Sequence, residues 1–203
     1  MSLYNKLKTD LQAGRFAPGT ILKQKALAEQ YQVSRIPVRD AILKLKNEGW
    51  LTDHGKCGVA VPEFDALEVE DIYLMRMRLE PLLQELALPR LNSEVLGRAE
   101  DILAQMERSP ISAADIGELN WQFHACLYQA AQRPTLYAVV KHLHRQCQRY
   151  IGYQSLSLNY QSRSQAEHHA LLDALRARDG KLAERLLREH ISEAGQALVK
   201  FLR

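Results

Sequence analysis

Apolar residues recur at helical spacing at the start of the chain. Leu3, Leu7 and Leu11 repeat every four residues before Gly14 and Pro18 interrupt the pattern, which predicts a first helix. A second short helix is predicted over residues 24–30, with Leu27 and Ala28 on its inner side. Helix, break and short helix are typical of a small helical domain.

A third helix and two short strands complete this first region. Ser34 is a suitable N-cap, Pro37 is tolerated in a first helical turn, and Gly49 is a good stop. Residues 50–52 and 58–61 then predict two brief strands around a turn at 53–56. Two closely joined helices followed by a hairpin predict a winged helix-turn-helix.

The rest of the chain carries almost no strand pattern. Apolar residues at helical spacing predict six helices, over about residues 66–90, 94–108, 112–131, 134–153, 163–179 and 181–202. Pro81 lies inside the first of these and predicts that it kinks this helix or marks a bend. The predicted fold is therefore mainly α, with a winged helix-turn-helix over 1–62 and an all-α bundle of about six helices over 63–203.

Composition narrows the class of protein. The chain has 203 residues, 46% of them hydrophobic and 25% charged, as expected of a globular protein. Its longest apolar runs fall short of the roughly 20 residues of a membrane helix, and the N-terminus does not resemble a signal peptide. The three cysteines are widely spaced and favour a reducing compartment. We therefore expect a cytoplasmic protein that does not associate with membranes.

Charge is distributed unevenly between the two predicted domains. Residues 1–62 contain ten Lys and Arg and five Asp and Glu. Residues 63–203 contain 17 Lys and Arg and 19 Asp and Glu. A basic first third favours a polyanionic partner, although an excess of this size could also arise by chance.

The predicted third helix has the chemistry of a DNA-reading helix. Ser34, Arg35 and Arg39 lie in its first turns, and the two arginines, four residues apart, share one face. Helix N–H groups and arginines at such an end contact phosphates, and an arginine can bind guanine in a bidentate manner. The alternative is an ordinary solvated helix face.

The run from Leu27 to Ile42 resembles the helix-turn-helix of the GntR family of bacterial transcription regulators. The flanks agree in order and spacing, from Ala17 to Leu22 before the run and, after it, from Leu45 to Trp50 with Gly55 and residues 58–61. The resemblance implies double-stranded DNA as partner, bound on a palindromic operator by a homodimer. It also implies these DNA-contacting positions, of which lysine at 25 and isoleucine at 36 depart from the usual family residues: Lys25, Ser34, Arg35, Ile36, Arg39, His54, Gly55 and Lys56.

Three histidines of the rear domain suggest a metal site. Asn120 and His124 are four apart on one predicted helix, and His168 and His190 lie on two others. Helix bundles hold metals with ligands drawn from facing helices, and three imidazoles with an oxygen donor suit a divalent first-row ion. A lone histidine on a bundle face is, however, more often structural.

The stretches around these residues resemble the FCD effector domain of the FadR-like branch. Many members of that branch hold a metal with one aspartate and three histidines, and a few bind fatty acyl-CoA instead. The resemblance implies a divalent Zn, Ni, Mn or Fe ion on Asn120, His124, His168 and His190. Asn120 replaces the usual aspartate, which removes one negative charge from the site.

A small organic acid is the effector that the resemblance implies. The stretch from Leu74 to Pro81 resembles a family motif and makes Arg78 the candidate to bind an effector carboxylate. The alternative for Arg78 is a salt bridge with a nearby acid such as Glu85, and Arg76 is expected to form such a salt bridge. Arg149 and Tyr153, on the helix over 134–153, are further candidates.

The sequence as a whole predicts a DNA-binding transcription regulator controlled by a carboxylate effector in a metal-containing helical domain. A metal-responsive regulator, in which the ion itself is the signal, is one alternative. A bundle metalloenzyme is another, but the chain shows no obvious nucleophile motif and an enzyme leaves the basic front unexplained.

Overall fold

The computed structural model divides the chain into two units, Met1–Asp65 and Ala66–Arg203. It describes residues 2–55, 58–63, 65–108, 113–157 and 161–203, and their side chains except those of 113, 114, 148–157 and 161. Each unit is described separately below.

The first unit contains three helices and a small antiparallel sheet within its described residues. The elements are α1 (Leu3–Gln12), β1 (Ile21–Leu22), α2 (Gln24–Gln30), α3 (Arg35–Asn47), β2 (Thr52–His54) and β3 (Gly58–Ala60). α1 begins after Ser2, whose hydroxyl accepts a hydrogen bond from the Asn5 amide at 3.3 Å. The apolar stripes of α1 and α3 face each other, and their burial forms one core around Leu7, Val38 and Leu45.

The sheet differs in detail from the sequence prediction. β3 lies between β1 and β2, with Ile21 opposite Ala60 and His54 opposite Gly58. β1 was not predicted, because two residues are too few to show alternation. Trp50 and Leu51 were predicted to be strand residues, but they precede β2 and are buried in the core.

The turn between β2 and β3 forms the wing. Gly55 has a φ of +58°, a backbone conformation that side chains with a Cβ rarely adopt. The glycine predicted at this turn therefore has a local conformational reason. Lys56 lies outside the described residues.

The second unit is an all-α bundle, and six α-helices are present in its described part. These are α4 (Ala66–Ala87), α5 (Ser93–Met106), α6 (Ala113–Gln129), α7 (Pro134–Ser157), α8 (Gln161–Arg176) and α9 (Gly180–Leu202), with a short 3-10 turn at Leu88–Arg90. Asn92 and Asp179 cap α5 and α9 through their side-chain oxygens. The predicted mainly α architecture is confirmed.

α4 continues through Pro81 rather than ending there. Proline has no N–H, so the carbonyl of Met77, four residues earlier, loses its usual helical partner. The Arg188 guanidinium of α9 donates a hydrogen bond to this carbonyl at 2.6 Å. The freed acceptor is therefore satisfied by a neighbouring helix.

α4 and α9 also pack very closely near their centres. A Cβ added to Gly195 would lie 2.7 Å from the Tyr73 ring, so only glycine allows this approach. In the part of the chain that the structure describes, no helix is both long and apolar enough to cross a membrane.

Candidate nucleic-acid interface and metal centre

The N-terminal end of α3 presents an exposed, positively charged surface. Arg35 begins the helix, and Ser34, Arg35, Ile36 and Arg39 are all exposed. Ser34 occupies the N-cap position but its side chain makes no capping hydrogen bond, so its hydroxyl is available to another partner. Ile36, at 69% exposure, is a large apolar side chain held in water beside two arginines.

The other predicted DNA-contacting residues are also exposed where they are described. Lys25, near the start of α2, lies 3.9 Å from Glu29, and its side chain remains largely in solvent. His54 and Gly55 are exposed at the end of the wing. The described members of the set are thus all accessible on one unit, as a DNA interface requires.

Three of the predicted metal ligands meet in the interior of the helical bundle. His124 on α6, His168 on α8 and His190 on α9 are buried, and one ring nitrogen of each lies within 4.8 Å of those of the other two. Nitrogens bound to a tetrahedral zinc ion are about 3.4 Å apart, so a small inward movement of the rings would close the site. His124 and His168 are 44 residues apart in the sequence, and His168 and His190 are 22 apart, but the three residues form one cluster because their helices converge here.

The bonding state of these rings fits a metal site. Within the described part of the chain, Nε2 of His124 and both ring nitrogens of His168 are buried without a hydrogen-bond partner. Such unpaired buried groups are rare and costly. Burial lowers the pKa of His124 and of His168 well below the ordinary value, and the neighbouring histidines lower both further. The rings are therefore neutral at pH 7, the form that binds a metal.

The other two proposed ligands, His190 and Asn120, have surroundings that differ from those of His124 and His168. His190 Nδ1 lies 2.7 Å from a carboxylate oxygen of Glu167, a partner that would orient the ring with Nε2 free for a metal. Asn120 lies one turn before His124 on α6 and is half-buried. Three imidazoles and an amide supply no negative charge, so this ligand set would not compensate the charge of a divalent ion.

The predicted effector arginine does not face this interior. Arg78 is exposed on α4, whereas Arg76 is only 4% exposed. Residues two apart on a helix are about 200° apart around its axis, so the two arginines point to opposite sides. Arg76, and not Arg78, therefore occupies the inner face of α4, while Arg78 stays a prediction as an effector ligand. The side chains of Arg149 and Tyr153 lie outside the described residues.

Arg76 forms the salt bridge that the sequence analysis expected of it, but it does so within a buried polar cluster that was not predicted. Its Nε donates to Glu80 at 2.6 Å, its Nη1 donates to Cys147 Sγ at 3.6 Å, and its Nη2 lies 3.3 Å from His144 Nε2. The Tyr128 hydroxyl donates to the other Glu80 oxygen at 2.7 Å. The spacing of Arg76 and Glu80, four apart on one helix, is a sequence signal that could have found this pair.

Electrostatics keeps the central carboxylate of this cluster ionised. Burial alone would raise the pKa of Glu80, but the charge of Arg76 and the hydrogen bond from His144 outweigh it and hold the pKa well below the ordinary value. Burial and the adjacent carboxylate together raise the pKa of Tyr128. At neutral pH the cluster thus contains a carboxylate, a guanidinium and a protonated phenol.

A winged helix-turn-helix with an exposed basic helix, followed along the chain by an all-α unit with a buried histidine cluster, is the architecture of a transcription regulator with an effector domain. Comparison with known proteins identifies the family. Residues 1–61 match the bacterial regulatory proteins of the gntR family, and residues 71–193, more than half of the chain, match the FCD domain. The chain belongs to the GntR family and has the FCD architecture of its FadR-like branch.

Named relatives are similar over most of this chain. YdhC of Bacillus subtilis, described as an uncharacterized transcriptional regulator, is 30% identical over 70% of this chain and 65% of its own length. The Nta operon transcriptional regulator of Aminobacter aminovorans is 30% identical over 72% of this chain and 71% of its own. The structure of Escherichia coli McbR/YncC superposes with a TM-score of 0.77 at 25% identity, covering 99% of this chain and 97% of that one. The protein is a DNA-binding transcription regulator with an effector-binding domain.

Proposed function

We propose that this regulator binds a palindromic operator and releases or engages it in response to a small carboxylate coordinated by a divalent metal in the helical unit. The observation that carries the proposal is the buried cluster of His124, His168 and His190 with unpaired ring nitrogens. The relatives are transcriptional regulators, which favours a regulator over an enzyme. Its proposed place of action is the cytoplasm, where a bacterial operator is found.

The charge of the site supports an anionic effector. None of the proposed ligands Asn120, His124, His168 and His190 has an acidic side chain, so this ligand set would not compensate the double charge that a Zn, Ni, Mn or Fe ion brings into the buried histidine cluster. A carboxylate bound to the metal would supply the charge that the usual aspartate supplies in the family. Arg76 is already engaged by Glu80 and Cys147, so we assign the effector carboxylate to the metal.

Thermal unfolding separates this proposal from its alternatives. We expect acetate, succinate or citrate to stabilise the protein with Zn²⁺ present and to have no effect after dialysis against a chelator. A ligand at about 100 times its Kd adds about 2.7 kcal/mol to the free energy of unfolding. Stabilisation by Zn²⁺ alone, with no response to any acid, would favour the metal-responsive regulator, and no response to either would contradict the metal site.

The DNA interface that we propose consists of the N-terminal half of α3, the wing and Lys25. The exposed residues Ser34, Arg35, Ile36 and Arg39 would enter the major groove, and His54, Gly55 and Lys56 would approach the neighbouring backbone. Ile36 would present an apolar surface of the kind that contacts the thymine methyl group.

Replacing Arg35 with alanine should weaken operator binding by about 5- to 150-fold if the arginine reads a base, equivalent to about 1–3 kcal/mol. Binding would be measured by fluorescence anisotropy on a duplex selected from a random library, over a range of salt concentrations. Arg15→Ala is the matched control, because Arg15 is exposed in the same unit but forms a salt bridge with Asp10. Equal affinity and salt dependence for Arg35→Ala and the parent protein would show that α3 is not the reading helix.

We propose that the regulator acts as a homodimer. α4 and α9 share a groove lined in part by Leu74, Met77 and Val199, and Leu74 is 55% exposed. An apolar surface of this kind supports association of two copies. A dimer would place two recognition helices on half-sites about 10 base pairs apart, which agrees with a palindromic operator.

A further inference from the structure

A chain of hydrogen bonds links the buried arginine cluster to the proposed metal ligands. Glu80 accepts from Tyr128 at 2.7 Å, and the Tyr128 oxygen lies 3.4 Å from Nδ1 of His124. The other ring nitrogen of His124, Nε2, has no partner in the described part of the chain. All three side chains are buried, with Glu80 and His124 fully so.

Proton counting fixes the direction of these hydrogen bonds. Glu80 carries no proton, because Arg76 and His144 hold it ionised, so it only accepts. The single Tyr128 proton is therefore donated to Glu80, and the Tyr128 oxygen can only accept from His124. An imidazole that binds a metal is neutral and has a single N–H, and the accepting Tyr128 oxygen beside Nδ1 of His124 places that proton on Nδ1.

We propose that Tyr128, held by Glu80, is a positioning residue that selects the Nδ1–H tautomer of His124 and thereby presents its Nε2 lone pair to the metal. This inference rests on the metal site of the proposed function. In other metal sites a carboxylate or carbonyl orients the ligand histidine directly. Here the carboxylate acts through a tyrosine, while His190 is oriented directly by Glu167.

The geometry around His124 explains why a neighbour must select its tautomer. Phe123 and His168 lie close to the ring, with centroid separations of 5.1 Å for each pair. Neither ring of these neighbours is hydrogen-bonded to His124 within the described residues. Without the Tyr128 oxygen, Nδ1 would have no acceptor, and the Nε2–H tautomer, which cannot bind a metal through Nε2, would no longer be disfavoured.

Tyr128→Phe in the full chain tests this role. We expect the Zn²⁺ affinity, measured by competition with a chromogenic chelator, to fall about 10- to 100-fold, the usual effect of removing such a partner. In the metal-free protein, long-range ¹H–¹⁵N spectra of the histidine rings should show the proton on Nδ1 of His124 in the parent and a loss of this preference in the variant. The His124 signals are assigned by their absence in His124→Gln.

Tyr137→Phe is the matched control. The Tyr137 hydroxyl accepts from exposed Gln129, so its removal should leave both the Zn²⁺ affinity and the His124 tautomer unchanged. A merely structural role for Tyr128 would lower thermal stability without changing the tautomer, and that result would overturn the inference. If the parent protein binds no Zn²⁺, the proposed function fails, but the metal-free spectra still decide whether Tyr128 selects the tautomer.

Discussion

Replacing Arg76 with methionine should lower the free energy of unfolding by about 3–5 kcal/mol, the cost of removing one partner from a buried ion pair. Methionine keeps most of the side-chain volume, so little of the loss comes from a cavity. Most of the loss comes from the Glu80 carboxylate, which would remain fully buried without the guanidinium that pairs with it. Chemical denaturation of the metal-free protein measures the change.

Two further variants isolate the cause of this loss. Arg78→Met makes the same chemical change two residues away on the exposed side of α4, and we expect it to alter stability by less than about 0.5 kcal/mol. Adding Glu80→Gln to Arg76→Met removes the unpaired charge and keeps an acceptor for Tyr128, so it should recover part of the loss. Equal effects of Arg76→Met and Arg78→Met would contradict the buried position of Arg76.

The contrast between these arginines shows what the sequence could and could not predict. The number and approximate positions of the helices follow from apolar spacing, which local geometry imposes. The rotation of α4 about its axis does not follow, because exposed Leu67, Leu74 and Leu82 add apolar positions outside the buried face. Apolar spacing therefore did not separate Arg76 from Arg78, the effector role of Arg78 came from the family resemblance, and only packing of α4 against α6, α7 and α9 shows which arginine is buried.

Contacts between residues far apart in the sequence also limit what could be predicted about the sheet and the buried clusters. β1 has two residues, and its partner Ala60 lies 39 positions after Ile21, so no local signal reveals the strand. The histidine cluster was predicted because the family resemblance supplied the pairing that spacing alone could not. The network of Glu80 and Tyr128, which the resemblance did not include, became visible only when α4 and α6 were placed side by side.

His168→Leu should separate metal binding from folding more sharply than any other substitution. Both ring nitrogens of His168 are buried without a partner in the described part of the chain, and each such group costs about 1–3 kcal/mol. Leucine has a similar volume and suits a site beside Phe123, whose ring centroid is 4.8 Å from that of His168. The metal-free variant should therefore be at least as stable as the metal-free parent.

With metal present, we expect the parent to gain stability and the His168→Leu variant to gain none. Zn²⁺ at about 100 times the Kd should stabilise the parent by about 2.7 kcal/mol and leave His168→Leu unchanged, because two imidazoles do not hold the ion at that concentration. His169→Leu is the adjacent control, since His169 is exposed and faces Glu107, and it should keep the full metal response. A metal-induced shift in His168→Leu equal to that of the parent would exclude His168 as a ligand. A large loss of stability in the metal-free variant would show instead that His168 is a structural core residue, which its unpaired nitrogens argue against.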